Sequence, residues 1–128
     1  MQVNHFGWRQ FLRKRGADGG RFPVEELVRG ELVQRINPLL EKHGVPVYFN
    51  GHDHDLQHIV RGSVEYFNTG AGSKVRPPGP TEGSRFYQGT PGFMAVSLGL
   101  EKMHLDVIDY TGALLYQTDV KNRVAAEV

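Results

Sequence analysis

The sequence predicts a mixed α/β domain in which one helix is followed by mostly antiparallel strands. Three observations predict this class. Apolar residues recur at spacings of three and four between residues 24 and 43, as on one face of a helix. A short apolar and aromatic run at residues 45–49 follows directly, which is typical of a strand in an α/β unit. From residue 93 onward, short apolar runs are separated by turn residues, as in an antiparallel sheet.

Composition is that of an ordinary globular chain of 128 residues without cysteine. The 15 basic and 14 acidic residues give a formal net charge of +1, so neither nucleic acid nor a membrane is an expected partner. Without thiols, a metal would have to be bound by histidine, carboxylate, amide or water ligands. The N-terminus shows no apolar run of signal-peptide length, and the sequence does not fix the compartment.

The first part of the chain is predicted to be a poorly ordered basic segment over residues 1–22, because its Arg, Lys and Gly residues show no sustained period. The domain is assigned to residues 23–121, and residues 122–128 to a tail. The helix is predicted over residues 24–43, with Gly44 as its C-cap. Pro38 removes an amide donor inside it, which predicts a kink or a break between two shorter helices.

The strand at residues 45–49 is predicted to be buried, with a ligand site just beyond its C-terminal end. Two further runs, at residues 56–60 and 64–68, are predicted to form a hairpin. Residues 69–92 are rich in Gly, Pro and Ser and are predicted to be one long loop.

The C-terminal part of the chain is predicted to form three strands, at residues 93–98, 103–108 and 114–120. In the middle strand the apolar residues share one face, which is predicted to be buried: Met103, Leu105 and Val107. The intervening His104 and Asp106 then face outward.

The motif NGHDH at residues 50–54 places His52 and His54 two apart, just past the first strand. In an extended segment such residues project to the same side, roughly 6.6 Å apart along the chain. They can therefore reach one metal ion, or one ion each of a close pair. Gly51 would let the backbone turn sharply, and Asp53 would face away. For an HxH pair taken alone, a polar strand end is the alternative.

Three longer stretches carry more information than the histidine pair: VPVYFNGHDHDLQHI, VEYFNTGAGSKVRP and PGFMAVSLGLEKMHLDVIDYTGALLYQTDV. Together with the preceding helix they resemble the C-terminal half of the calcineurin-like metallophosphoesterases. The resemblance is closest to the branch that includes the purple and tartrate-resistant acid phosphatases. It covers about residues 24–121, and GHxH followed by DLQ and a downstream GAG is more specific than GHxH alone.

This resemblance implies part of a four-layer αββα sandwich whose intact form holds two metal ions, iron with zinc, manganese or a second iron. It implies that His52 and His54 bind one ion each, and that the metals polarise a phosphate monoester and activate a water molecule for attack. A ligating histidine needs an acceptor for its other nitrogen. Asp55 is a candidate for that role, with an exposed loop carboxylate as the alternative. The GAG loop would border the site: Gly70, Ala71 and Gly72.

The chain also departs from the family pattern. The family supplies its other ligands from motifs of the types DxH or DxG, GDxxx and GNH[DE], and from a histidine in a GHxP-like segment, which this sequence lacks. Two histidines alone give each ion one protein ligand, fewer than the three that catalytic sites use. His5 stands in VNHFGW and is better explained as a solvated imidazole than as the missing histidine.

The sequence therefore predicts a fragment or truncated form of a metal-dependent phosphomonoesterase that is inactive, or nearly so, by itself. Its substrate would be a phosphate monoester if other ligands completed the site. The alternative is a catalytically inactive binding or scaffold module of the same origin. Half a sandwich leaves apolar area uncovered, and self-association through that sheet face is then expected.

Overall fold

The computed structural model describes residues 32–123. The basic segment predicted at residues 1–22, His5 and the first part of the predicted helix lie outside the described residues, as do residues 124–128. The chain divides into two compact units, Met1–Leu39 and Leu40–Val128. Among the described residues, no helix is long and apolar enough to cross a membrane.

Helical structure in the described part consists of a π-helical segment, Leu32–Ile36, followed by the α-helix α1, Asn37–Lys42. The geometry changes directly before Pro38, which has no amide hydrogen to donate to the preceding turn. The helical type thus changes at the place where a kink or a break was predicted, while the helical stretch itself runs on without a gap from Leu32 to Lys42.

Gly44 ends α1 in the left-handed conformation, with φ of 64°. Its N–H donates to the carbonyl of Glu41 at 3.1 Å, and the N–H of Val45 donates to the carbonyl of Leu40 at 2.8 Å. This pair of bonds is the Schellman motif, in which a glycine without Cβ satisfies the last carbonyls of a helix. The predicted C-cap is confirmed.

The first sheet has four strands in the order β1-β3-β2-β4, where β3 is parallel to β1 and antiparallel to β2. Its strands are β1, Val47–Asn50; β2, Leu56–Arg61; β3, Val64–Thr69; and β4, Ser84–Gln88. Gly62, with φ of 56°, lies in the turn between β2 and β3, so the predicted hairpin is confirmed.

The second sheet is an antiparallel meander in the order β5-β6-β7. Its strands are β5, Gly92–Leu98; β6, Lys102–Asp109; and β7, Leu114–Lys121. In β6 the residues Met103, Leu105 and Val107 are buried, whereas His104 and Asp106 lie on the other face, as the alternation predicts.

The core is formed where the two sheets face each other. Phe67 of β3 and Leu56 of β2 are fully buried on one side, and Leu105 and Val107 of β6 are fully buried on the other. The buried cluster contains these residues and three more: Ala71, Met103 and Val120. Since burial of apolar area is the main stabilising contribution in a chain of this size, this interior fixes how the sheets are paired.

Two expectations about the strands are wrong. The strand after the helix is not fully buried, because β1 is an edge strand among the described residues and Phe49 is 43% exposed. Residues 69–92 are not one loop, because they contain β4. Gly83, with φ of 84°, lies against the carbonyl of Val60 at the start of β4, where a Cβ would clash. Gly83 thus allows β4 to begin close to β2, although in the sequence it looks like one more residue of a Gly-rich loop.

Candidate functional site

The histidine pair lies at the carboxyl end of β1, in an irregular segment between β1 and β2. The turn is made by His52, whose φ is 84°, and not by Gly51 as expected. A positive φ is uncommon outside glycine, although histidine tolerates it better than bulkier or branched residues. Such conformations cost free energy and persist only where neighbouring residues hold them, which is often at functional sites.

The parallel pairing of β1 and β3 brings two motifs to the same edge of the sheet. Asn50, the last residue of β1, lies opposite Asn68 of β3. Because parallel strands end at a common edge, the segment after Asn50 and the segment after Asn68 leave the sheet side by side. The first contains His52 and His54, and the second is the GAG turn.

Asn68 holds the histidine segment in place. This buried side chain donates from Nδ2 to the backbone carbonyls of Asp53 at 2.8 Å and Asp55 at 3.0 Å. The same nitrogen lies 2.5 Å from Oδ1 of Asp55. Hydrogen bonds to a carboxylate inside a protein are stronger than those between neutral groups, so this contact fixes the end of the segment.

Asp55 is buried, with 6% of its surface exposed, and its Oδ1 also accepts from Nε2 of Gln57 at 2.9 Å. The alternative of an exposed loop carboxylate is therefore wrong. The hydrogen bonds described for Oδ1 connect Asp55 to the sheet, and its expected role as acceptor for a ligating histidine stays a prediction.

The GAG turn contacts the histidine segment through its first glycine. A Cβ on Gly70 would clash with the carbonyl of Asp53 and come within 3.3 Å of the amide nitrogen of His52. The N–H of Gly70 donates to the carbonyl of Asp55 at 3.1 Å. Glycine at this position therefore allows the two backbones to approach.

The other two residues of the turn have different surroundings. Ala71 is fully buried in the core, and its carbonyl accepts from the N–H of Gly92 at 3.1 Å. Gly72 is exposed, and a Cβ there would contact nothing within 4 Å. Gly70 thus borders the histidine segment directly, whereas Ala71 contributes to the core and Gly72 to the exposed surface.

The described residues do not by themselves make a complete metal site. Within residues 32–123, no three His, Cys, Asp or Glu side chains form a group that could hold a metal ion. Imidazole donors such as those of His52 and His54 suit zinc and iron. A donor set of two histidines nevertheless falls short of the three protein ligands of catalytic sites.

A second polar group, centred on His58 of β2, includes Glu65 of β3 and Tyr116 of β7, and its contacts were not predicted from the sequence. His58 is buried and stacks on Phe67, with ring centroids 4.3 Å apart. Its Nδ1 lies 2.8 Å from Oη of Tyr116, and its Nε2 lies 2.9 Å from Oε1 of Glu65. Desolvation lowers the pKa of His58 below its usual 6.5, against the opposing effect of the hydrogen bond to Glu65. The hydrogen bond to Tyr116 connects the two sheets.

No protein-family model matches the chain. The chain is 36% identical to purple acid phosphatase 7 of Arabidopsis thaliana over 104 residues, which are 77% of this chain and 31% of that protein. It is 33% identical to tartrate-resistant acid phosphatase type 5 of Homo sapiens over 119 residues, 81% of this chain and 37% of that protein. The chain thus spans about a third of the length of these curated relatives.

Similarity in structure extends to a protein described as "GAP50 the anchor in the inner membrane complex of Plasmodium". The TM-score is 0.68 with 21% identity, over 73% of this chain and 31% of that chain. At this identity the likeness shows a shared fold.

One helix and two mostly antiparallel sheets, with a GHxH segment braced by a GAG turn, correspond to part of a metallophosphoesterase fold. Within that class, the chain is homologous over its matched residues to the purple and tartrate-resistant acid phosphatases. The resemblance and the fold class predicted from the sequence are confirmed.

Proposed function

We propose that this chain supplies the two-histidine part of a metal-dependent phosphoesterase site of the acid phosphatase type. His52 and His54 would bind one ion each, iron with zinc, manganese or a second iron. The observation that carries the proposal is the bracing of their segment: Asn68 binds two of its carbonyls, and Gly70 packs against its backbone. Ligands held in place before the metal arrives lose little conformational freedom on binding.

The same proposal assigns little or no catalytic activity to the chain alone. An active site of this class needs further ligands beside the two histidines. They would come from outside the described residues, either from this polypeptide or from another chain. Phosphate monoesters are the substrates that the names of the relatives support, once the site is complete.

The experiment measures metal retention and turnover on the same samples. The purified chain is loaded with iron, zinc or manganese and desalted, its metal content is determined by mass spectrometry, and hydrolysis of p-nitrophenyl phosphate is followed. His52→Ala and His54→Ala should each lower metal retention. His43→Ala is the matched control, because His43 is an exposed residue just beyond α1.

Hydrolysis should stay at the rate of buffer containing metal for all four proteins. Turnover that depends on His52 and His54 would show that the chain completes its own site, and would overturn the assignment of inactivity. Metal retention that none of the substitutions changes would overturn the assignment of the two histidines as ligands.

A binding or scaffold module is a second candidate, and the exposed apolar surface favours it. Leu98 and Leu100, around the turn between β5 and β6, are 82% and 90% exposed. Leu98 also lines a groove of about 320 Å³ together with Val47 and Phe49 of β1. The GAP50 structure, which shares this fold, is described as an anchor.

Sedimentation at several concentrations tests the module. If this surface mediates self-association, the wild-type chain should associate as concentration rises and Leu98→Ser should weaken the association. A chain that stays monomeric at every concentration would remove the support for self-association.

A further inference from the structure

We propose that Lys74 and Arg76 form an anion-recognising pair beside His54, and that the pair fits a phosphate ester carrying a second anionic group. The inference rests on the proposed function, because it takes the histidine segment as the place where a phosphoryl group is bound. It adds the two residues that would select among phosphate esters.

Arg76 is fixed next to the histidine segment by its backbone. Its N–H donates to the carbonyl of His54 at 2.8 Å. On the other side, a Cβ on Gly89 would lie 2.7 Å from the carbonyl of Arg76 and 2.8 Å from Cδ of Pro78. The segment around Arg76 is therefore held between the carbonyl of His54 and the backbone that follows β4.

Local geometry favours one side of this segment for both basic side chains. Arg76 precedes Pro77, and a residue before proline is restricted to extended conformations. In an extended chain, residues two apart project to the same side, so Lys74 and Arg76 are expected to point together. Both side chains are exposed.

Two carboxylates of the surrounding segments, those of Glu82 and Asp55, are engaged elsewhere. Glu82 forms an ion pair with Arg61, at 3.2 Å between Oε2 and Nη1. Asp55 is buried, and its Oδ1 accepts hydrogen bonds from Gln57 and Asn68. Within residues 32–123, no ion pair is formed by Lys74 or Arg76, so their charges remain available to a ligand.

The chemistry of the two side chains defines the ligand class. An arginine guanidinium binds phosphate oxygens through two parallel hydrogen bonds, and a lysine ammonium adds a mobile point charge. A ligand could place one phosphoryl group at the histidines. Its second phosphoryl or carboxyl group would then bind the guanidinium of Arg76 and the ammonium of Lys74. A diphosphorylated compound should therefore bind more tightly than inorganic phosphate.

The test is an amide-resolved NMR titration of the full chain with inorganic pyrophosphate, at constant ionic strength in buffer freed of metal by a chelating resin. Saturable shifts are expected at the amides of Arg76 and Gly70. The double substitution Lys74→Gln with Arg76→Gln should weaken the affinity about tenfold. A parallel titration with inorganic phosphate should give weaker binding to the wild-type chain.

Lys121→Gln is the control for general loss of positive charge. Lys121 is exposed and lines the groove at Pro46 and Val47, at the amino end of β1, opposite the histidine segment. This variant should bind pyrophosphate as the wild type does. Equal weakening by Lys121→Gln, or no saturable shift in the wild type, would overturn the inference.

Failure of the proposed function gives a different result. Metal retention insensitive to His52 and His54 would overturn the metal site. The pyrophosphate titration contains no metal, so it reports on anion binding by Lys74 and Arg76 independently of a phosphoryl group held at a metal site. Unchanged amide dispersion in β5, β6 and β7 shows that each variant is folded.

Discussion

Two histidines in the sheets are expected to respond to pH in opposite directions. His104 lies on the outer face of β6, with Nδ1 2.5 Å from Oδ1 of Asp119 and Nε2 3.0 Å from Oδ1 of Asp106. Only the imidazolium can donate from both nitrogens, so these contacts raise the pKa of His104, the bond to Asp119 contributing most. His58 is buried, and desolvation lowers its pKa.

The surroundings of His104 contain one further charge in direct contact with its partners. Lys102 donates to Oδ2 of Asp119 at 2.7 Å, and this bond and the one from His104 lower the pKa of Asp119. Ser97 of β5 lies opposite His104 and brings no charge. Lys121 pairs with Lys102 at the end of β7.

We predict that the free energy of unfolding reflects both histidines. The stabilising contribution of His104 is complete below pH 6.5 and is lost as pH rises through its raised pKa. The contribution of His58 as a neutral ring is complete above pH 6.5 and is lost as pH falls towards its lowered pKa. Urea denaturation from pH 5 to 9 should therefore lose its alkaline slope in His104→Gln and its acid slope in His58→Gln.

His43, exposed near the end of α1, provides the control, since His43→Gln should keep both slopes. The assignments would be contradicted by a His104→Gln protein that keeps the full decline in stability above pH 6.5. A His58→Gln protein that keeps the acid decline would contradict the second assignment.

At single positions, sequence patterns identified the residue types of the site but not their surroundings. The pair His52 and His54 is visible as HxH, because a motif is local. The burial of Asp55 is not visible, because its partner Asn68 is 13 residues away and reaches it through the pairing of β3 with β1 and β2. The positive φ of His52 likewise depends on neighbouring backbone, whereas sequence alone favours the adjacent Gly51 as the turning residue.

At the scale of elements, the GAG turn matters because it braces the histidine segment. We predict that Gly70→Ala destabilises the chain by about 1 to 3 kcal/mol, the usual cost of forcing extra atoms into a packed interior. The added Cβ would clash with the carbonyl of Asp53, and backbone cannot move aside as a flexible side chain can. Urea denaturation measures the change, and amide exchange at His52 and Asp53 shows whether the histidine segment opens.

Gly72→Ala is the matched control, two residues away in the same turn. Its Cβ would meet nothing within 4 Å, and its φ is not in the left-handed region, so stability should change by less than about 0.5 kcal/mol. Equal losses for the two substitutions would show that the turn is sensitive to any side chain and that Gly70 has no special contact.

Strands with a clear alternation of apolar and polar residues were predicted well, and strands without one were not. The strand β6 alternates regularly, and β7 is adjacent to it in sequence and in the sheet, so local pattern and tertiary pairing agree. The strand β4 has mixed exposure, lies between Gly- and Pro-rich segments, and pairs with β2 across more than 20 residues. The strand β4 forms because the edge of β2 that does not pair with β3 can accept its hydrogen bonds, and no local sequence pattern indicates this.

The molecule from Leu40 onward consists of two sheets that share one interior, and this arrangement supports the site. The strand β3 connects the two: Phe67 lies in the core, and the adjacent Asn68 binds the histidine segment. Weaker packing between the sheets should therefore destabilise β3 and, through Asn68, the histidine segment. This holds although none of the core residues in β6 belongs to the site.

We predict that the two sheets unfold as one cooperative unit. Leu105 of β6 is fully buried, so Leu105→Ala should lower the free energy of unfolding by about 2 to 5 kcal/mol. Leu100→Ala, at a 90% exposed position, removes the same atoms and should change stability by less than about 0.5 kcal/mol. Residue-resolved amide exchange should report the same loss for Leu105→Ala in β3 as in β6. If β3 kept its protection while β6 lost it, the sheets would be separate units and the histidine segment would not depend on the common core.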